Sequence, residues 1–96
     1  MNIIIRSVAE AELADTWDHY AAINLRLGDD FLAKVDAALS RAAANPEAHQ
    51  VVHGDLRRVR LKRFPHLLIY RIVGDRLVVV ACTHPRQAQD RWRTRR

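Results

Sequence analysis

The sequence predicts an α+β fold: an N-terminal strand and an antiparallel helical hairpin, followed by a three-stranded antiparallel meander and a short basic C-terminal helix or tail. Apolar residues in the first half recur every three or four positions, whereas after residue 55 the period changes to two. A length of 96 residues, 49% of them hydrophobic, is enough for one domain and not for two. We therefore expect residues 1–96 to form a single domain with the helices packed on one sheet face.

The N-terminal elements follow from local signals. Residues 2–6 contain three consecutive isoleucines and are typical of a first strand. Ser7, with Glu10 three positions later, matches a capping box and predicts a helix from about Val8. The helix has one apolar stripe, and its other side carries acidic residues, Glu12 among them, that we expect in solvent. The members of the stripe are Ala9, Leu13, Trp17 and Tyr20, with Ile23 as a further candidate at its end.

A second helix is predicted after an interruption over residues 24–30, where Gly28 is read as a break. The apolar residues Phe31, Val35, Ala38, Leu39 and Ala42 lie on one face of this helix, which ends at Asn45-Pro46. The short connection makes the two helices an antiparallel hairpin.

The second half predicts strands. Residues 47–55 are expected to form a loop, after which Arg58, Arg60 and Lys62 alternate with apolar residues, as in a strand with one solvated face. Residues 67–73 form the next strand, Gly74-Asp75 is a hairpin signal, and residues 76–83 form the last strand. Pro85 ends that strand, and residues 87–96 form the basic tail, with one or two helical turns.

The charge is distributed unevenly along the chain. Residues 1–48 hold four basic and eight acidic residues, whereas residues 49–96 hold twelve basic and three acidic ones, so the two halves carry net charges of −4 and +9. Fourteen of the sixteen cations are arginine, which suits bidentate contact with phosphate or carboxylate. The second half is therefore expected to meet nucleic acid or an acidic protein segment, the alternative being a surface kept basic for solubility.

Several other classes have little support. The longest apolar run, residues 77–82, is too short to span a bilayer, and no signal peptide is apparent, so we expect a soluble cytoplasmic protein without membrane contact. Cys82 is the only cysteine, which excludes an intrachain disulfide. His49 and His53 have no third partner that would complete a metal site, and we expect neither a metal nor another cofactor.

The candidate functional residues lie in the basic second half. Arg58, Arg60 and Lys62 form a row of cations on one face, and the turn at Phe64-Pro65 is expected to bring Arg63 to the same side. His84 is either a general acid/base or a structural residue at the end of the last strand. Trp92 either stacks on a nucleic-acid base or pins the tail to the domain. The remaining basic candidates are Arg86 and Arg93.

The second half resembles the RelE/ParE superfamily of toxins, the toxic halves of type II toxin–antitoxin modules. The resemblance is carried by RVRLKRFPHLLIYR at residues 58–71, by DRLVVVACTHPR at residues 75–86 and by the Arg91-Trp92 pair. Because members of this superfamily also begin with a strand and a helical hairpin, the resemblance covers nearly the whole chain and implies the same fold as the periodicity does.

This resemblance implies one of two activities. RelE-like toxins cut mRNA on the ribosome, whereas ParE-like toxins poison DNA gyrase and lack the catalytic set. Arg58, Arg60 and Arg86 match basic positions of the nucleases, and His84 is a further candidate for RNA cleavage. Leu67 and Trp92, however, stand where the nucleases carry an arginine and a tyrosine. The ParE-like activity is therefore favoured, and whether the chain is an enzyme stays open.

The resemblance also implies a partner. Members of the superfamily are neutralised by a cognate antitoxin, which we expect to bring an acidic, partly disordered tail to the basic surface and to form a hetero-oligomer with the toxin. A non-toxic basic module that binds RNA or DNA is kept as a third alternative.

Overall fold

A computed structural model describes residues 1–96 of the chain. Strand β1 (Asn2–Ile5) precedes helices α1 (Ser7–Ile23) and α2 (Leu25–Ala44). Strands β2 (Val51–His53), β3 (Leu56–Arg60), β4 (Leu67–Val73) and β5 (Arg76–Thr83) follow, and a single 3₁₀ turn at Gln89–Arg91 lies in the tail. Neither helix combines the length and the apolar character that a membrane crossing requires.

The five strands form one mixed sheet in the order β1-β5-β4-β3-β2. β1 pairs with β5 in parallel, and the other neighbours are antiparallel. The predicted α+β fold and element order are confirmed, but the meander has a fourth strand, because residues 51–53 of the predicted loop pair with β3. The strand predicted around residues 58–62 spans residues 56–60, so Lys62 lies just beyond it.

The core between the helical hairpin and the sheet contains the apolar stripes that the sequence predicts for both helices. α1 packs on β5 and α2 packs on β3. The apolar residues that the helix and strand periods turn inward belong to one contiguous cluster. They are Leu13, Trp17, Phe31, Val35, Leu39, Val59, Leu61, Leu68, Tyr70 and Val79.

The opposite face of the sheet is not simply solvated, as the alternating cations had suggested. A second apolar cluster covers its middle, with contributions from β3, β4 and β5 and from the tail. Its members are Leu56, Leu67, Ile69, Val78, Val80, Ala81 and Trp92. β4 and β5 are therefore buried on both faces, which explains why their sequences are apolar almost throughout.

Two predictions about the hairpin were wrong in detail. Helix α1 begins at Ser7 itself, with Arg6 as the N-cap and no side-chain capping bond, so the capping box does not form. The interruption between the helices is Asn24 alone, whose side chain accepts a hydrogen bond of 2.8 Å from the Arg26 backbone N–H. Gly28 consequently lies inside α2, where it is buried, and does not mark a break.

Candidate functional site

The structure brings the predicted row of Arg58, Arg60 and Lys62 into a groove of about 500 Å³, which we call the cationic groove. One wall is the last turn of α2 and the connection to β2, and the other is β3 with the two residues that follow it. The groove is lined by Arg41, Ala48, His49, Gln50, Arg58, Val59, Arg60, Leu61 and Lys62.

Hydrogen bonds hold the two walls of the cationic groove together. Arg41 donates to the Arg60 carbonyl oxygen across the groove, and the Arg58 backbone N–H donates to the Gln50 carbonyl oxygen at 3.0 Å. The connection itself is fixed from beneath, because Arg57 donates to the carbonyl oxygen of His49 at 2.8 Å. The Tyr70 hydroxyl donates to the Pro46 carbonyl oxygen at 2.6 Å. These hydrogen bonds therefore fix the shape of the cationic groove.

The electrostatics of the cationic groove are one-sided. Its lining contains Arg41, Arg58, Arg60 and Lys62 and no Asp or Glu. The ion pairs of the molecule, which involve Arg63, Arg71, Arg91, Arg93 and Arg95, include none of these four cations. Like charges held close together repel one another unless water or an anion lies between them. The arrangement therefore suits an anionic ligand.

The structure separates the other predicted basic residues from this groove. Arg63 adopts a positive φ of 72° and pairs with Asp30 of α2 at 3.0 Å, so the turn directs it to the hairpin and not to the cation row. Arg93 lies within 3.6 Å of Asp90 and 3.3 Å of the His53 ring. Arg86 is exposed beyond the end of β5 and has no ion pair.

Trp92 serves to pin the tail. Its side chain is only 5% exposed and packs in the second apolar cluster against the outer face of the sheet. The indole therefore has no free face on which a base could stack, and Trp92 is removed from the predicted target-binding residues. Leu67, which lies directly opposite Arg60 in the β3–β4 register, is 9% exposed in the same cluster.

The geometry of His84 favours its structural alternative. Its Nδ1 accepts a hydrogen bond of 3.1 Å from the Arg86 backbone N–H, which closes the turn after β5. A neutral imidazole has a single acceptor nitrogen, so this bond occupies the atom that a general base would use. The His84 ring also packs 5.5 Å from the ring of His66, on the hairpin side of the sheet, away from Arg58 and Arg60.

His66 lies in an apolar environment at the edge of the core. Its ring contacts Phe31 and Tyr20 with centroid separations of 5.6 and 6.0 Å. Burial, with a smaller contribution from the neighbouring His84 and His19 rings, lowers the pKa of His66 from 6.5 to about 4. Its Nδ1 is buried without a hydrogen-bond partner. His66 is therefore a neutral core residue at physiological pH.

Glu12, expected in solvent, is an anchor for the tail. Its side chain is 15% exposed, and it pairs with Arg95 at 2.9 Å and with Arg91 at 3.7 Å. The same carboxylate accepts a hydrogen bond from the Cys82 backbone N–H at 3.1 Å, while Arg95 donates to the Val80 carbonyl oxygen. Glu12 and Arg95 thus cap the part of the β5 edge that extends beyond β1.

Sequence reasoning also missed Arg41 and His49 as groove residues. Arg41 had a weak signal, because a cation in the last turn of a helix is close to the chain that leaves the helix. His49 had been considered only as a metal ligand. Its position beside Arg41, with Nε2 3.4 Å from the Arg41 carbonyl oxygen, depends on the path of the connection and was not encoded in any local pattern.

A family model described as the ParE toxin of the type II toxin–antitoxin system parDE matches residues 3–89. Among solved structures, one described as the chromosomal ParDE toxin–antitoxin system from P. aeruginosa superposes with a TM-score of 0.66 at 20% sequence identity. The match covers 88% of this chain and 95% of that one. No curated protein matches the chain.

Proposed function

The chain belongs to the ParE toxin family and is the toxin component of a type II toxin–antitoxin module, and from this premise we propose that it inhibits DNA gyrase by binding, without a catalytic step. The cationic groove is the proposed contact surface, and a cognate antitoxin keeps the toxin inactive. Membership of a toxin family leaves the non-toxic nucleic-acid-binding alternative without support.

The observation that carries the proposal is the absence of a complete acid/base set around the cation row. The residue opposite Arg60 is a buried leucine, Leu67, and Trp92 is buried in the second cluster. The acceptor nitrogen of His84 is engaged by a backbone N–H. A nuclease needs a cation for the transition-state charge and a group that transfers a proton. The groove supplies cations for binding and lacks the proton-transfer groups that the resemblance had led us to consider.

A second candidate function is ribosome-dependent cleavage of mRNA. It is favoured by one specific observation, the half-buried imidazole of His49 in the same groove as Arg58 and Arg60. Histidine is the side chain best suited to proton transfer near neutral pH.

Expression of the chain in growing cells separates the two functions. We expect plasmid DNA to lose negative supercoiling while total mRNA stays intact, and co-expression of the antitoxin to reverse the effect. The His49→Gln variant is the matched control, because it removes the imidazole and leaves the four cations of the groove in place. Rapid mRNA cleavage that His49→Gln abolishes would replace the proposal with the nuclease function.

The proposed antitoxin partner carries an acidic, partly disordered tail that covers part of the basic surface and folds on binding. We expect the affinity of the toxin–antitoxin complex to fall as salt rises, because screening weakens interactions between exposed charges. Titration of the purified toxin with the antitoxin tail at several ionic strengths measures this effect. An affinity independent of salt, or a tail without net negative charge, would contradict the electrostatic part of the proposal.

A further inference from the structure

The cationic groove carries an inference about its ligand that deepens the proposed function. We propose that the groove binds the phosphodiester backbone of nucleic acid, so that the toxin contacts the DNA held by its target directly. The inference rests on the proposed gyrase target for the identity of the nucleic acid, but the binding itself is a property of the groove.

The hydrogen-bonding capacity of the groove favours phosphodiesters over an acidic peptide. Arg and Lys side chains are donors without acceptors, so the four cations offer only donors. Three carbonyl oxygens along its walls are already engaged: that of Arg60 by Arg41, that of Gln50 by the Arg58 N–H, and that of His49 by Arg57. A peptide brings backbone N–H donors that need acceptors, whereas a phosphodiester brings only acceptor oxygens. The donor-rich groove therefore matches the backbone of a nucleic acid.

The spacing of the cations is also suitable. Arg58 and Arg60 lie on the same face of β3, and residues two apart on a strand are separated by about 7 Å. This separation is comparable to that of successive phosphates along one nucleic-acid strand. Arg41 approaches from the other wall, and a guanidinium binds phosphate through two parallel N–H donors. The backbone of one strand of a duplex, running along β3, can thus meet one cation per phosphate, with Arg41 on its other side.

The composition of the lining favours duplex DNA, contacted through its phosphates, over a single strand. No Phe, Tyr or Trp lines the groove, so it offers no aromatic platform on which successive bases stack. Tyr70 lies beneath it, fully buried, with its hydroxyl bonded to Pro46. Contacts to phosphates fix position and carry no sequence information. Duplex DNA, which presents its backbone outward, is therefore the expected ligand.

The test is the binding of the purified toxin to a short fluorescein-labelled duplex DNA, followed by fluorescence anisotropy between roughly 50 and 200 mM salt. We compare the Arg58→Gln/Arg60→Gln double variant with a control, Arg26→Gln/Arg76→Gln, which removes the same charge from exposed positions away from the groove. We expect the groove variant to bind at least about tenfold more weakly and its log K against log salt slope to flatten by about 0.9 per lost phosphate contact. The control should stay close to the unmodified toxin.

Three results would overturn the inference. The first is an equal loss of affinity in the control variant, which would indicate attraction by net charge alone. The second is the absence of DNA binding. The third is tighter binding of a labelled poly-glutamate peptide than of the DNA through the same two arginines. Inhibition of gyrase measured on the same preparations separates this inference from the proposed function. A toxin that inhibits gyrase without binding DNA contradicts only the ligand assignment, and one that binds DNA without inhibiting gyrase contradicts only the target.

Discussion

Glu12 shows how much a single side chain contributes to the shape of this toxin. Periodicity along α1 places it outside the apolar stripe, which ordinarily means solvent. The tail returns across this position, however, and the carboxylate accepts hydrogen bonds from Arg95 and the Cys82 N–H and forms an ion pair with Arg91. The contact joins residues 83 positions apart, so no local pattern reports it.

Replacement of Glu12 by Gln tests this role. The variant keeps an oxygen for the Cys82 N–H and leaves Arg95, whose side chain is 18% exposed, without its counter-charge. We expect the free energy of unfolding to fall by about 1–3 kcal/mol. The exposed neighbour on the same helix provides the control, since Glu10→Gln should change stability by less than about 0.5 kcal/mol. Equal losses of stability in the two variants, measured by urea denaturation, would show that Glu12 does not anchor the tail.

His66 gives the molecule a defined pH dependence. Its pKa is about 4 in the folded chain and about 6.5 when unfolded, so between these values the unfolded state binds more protons. Stability is therefore fully present above about pH 6.5 and decreases as the pH falls towards 4. Denaturation of the unmodified protein and of His66→Gln at about pH 7 and about pH 5 measures the effect. The variant should lose less stability on acidification, and an identical loss would assign the pH dependence to other groups.

At the scale of elements, the helical hairpin depends on the close approach of α1 and α2. A Cβ added to Gly28 would lie 3.0 Å from both the Ala21 Cβ and the Trp17 Nε1, closer than side chains normally pack. The glycine is present because α1 occupies the space where its side chain would be. The sequence pattern correctly singled out Gly28 but predicted a helix break there. A glycine at a helix break and a glycine at a helix–helix contact cannot be distinguished from the sequence alone.

Gly28→Ala therefore has two opposing effects. Alanine favours a helix interior by about 0.5–1 kcal/mol, whereas overpacking a tight contact costs about 1–3 kcal/mol. We expect net destabilisation of about 1 kcal/mol, measured by thermal or urea denaturation. Ala33→Gly, at an exposed position of the same helix, isolates the propensity term. Stabilisation by Gly28→Ala, equal and opposite to the Ala33→Gly effect, would show that the helices have room to adjust.

The sheet shows which elements the sequence can predict. β4 and β5 are long, apolar and separated by a hairpin signal, and their pairing follows from these features. β2 is three residues long and pairs with a register shift, so its pattern is too short to distinguish from a loop. The continuous apolar sequence of β5 does indicate burial on both faces. The residue of the tail that covers its outer face is Trp92, however, and its position there depends on the path of the tail.

Over the whole molecule, two groups of cations can be distinguished by their contacts. Arg71, Arg91 and Arg95 pair with Asp55 and Glu12 and stabilise the fold. Arg41, Arg58, Arg60 and Lys62 remain without ion pairs in one groove. The sequence predicted the excess charge and three of these four residues, but it could not separate structural from available cations, because that distinction depends on contacts between distant segments.

The most direct test of the account is inhibition of purified gyrase by the toxin in a DNA supercoiling assay, with the groove arginines neutralised in steps. We expect inhibition by the unmodified toxin and a graded loss through Arg58→Gln and Arg58→Gln/Arg60→Gln, with His84→Ala and the Arg26→Gln/Arg76→Gln control close to unmodified. A surface that only binds loses affinity in increments, whereas a catalytic residue is decisive by about 100-fold or more. Full inhibition after both groove arginines are neutralised, or ribosome-dependent mRNA cleavage that disappears with His84, would contradict the account.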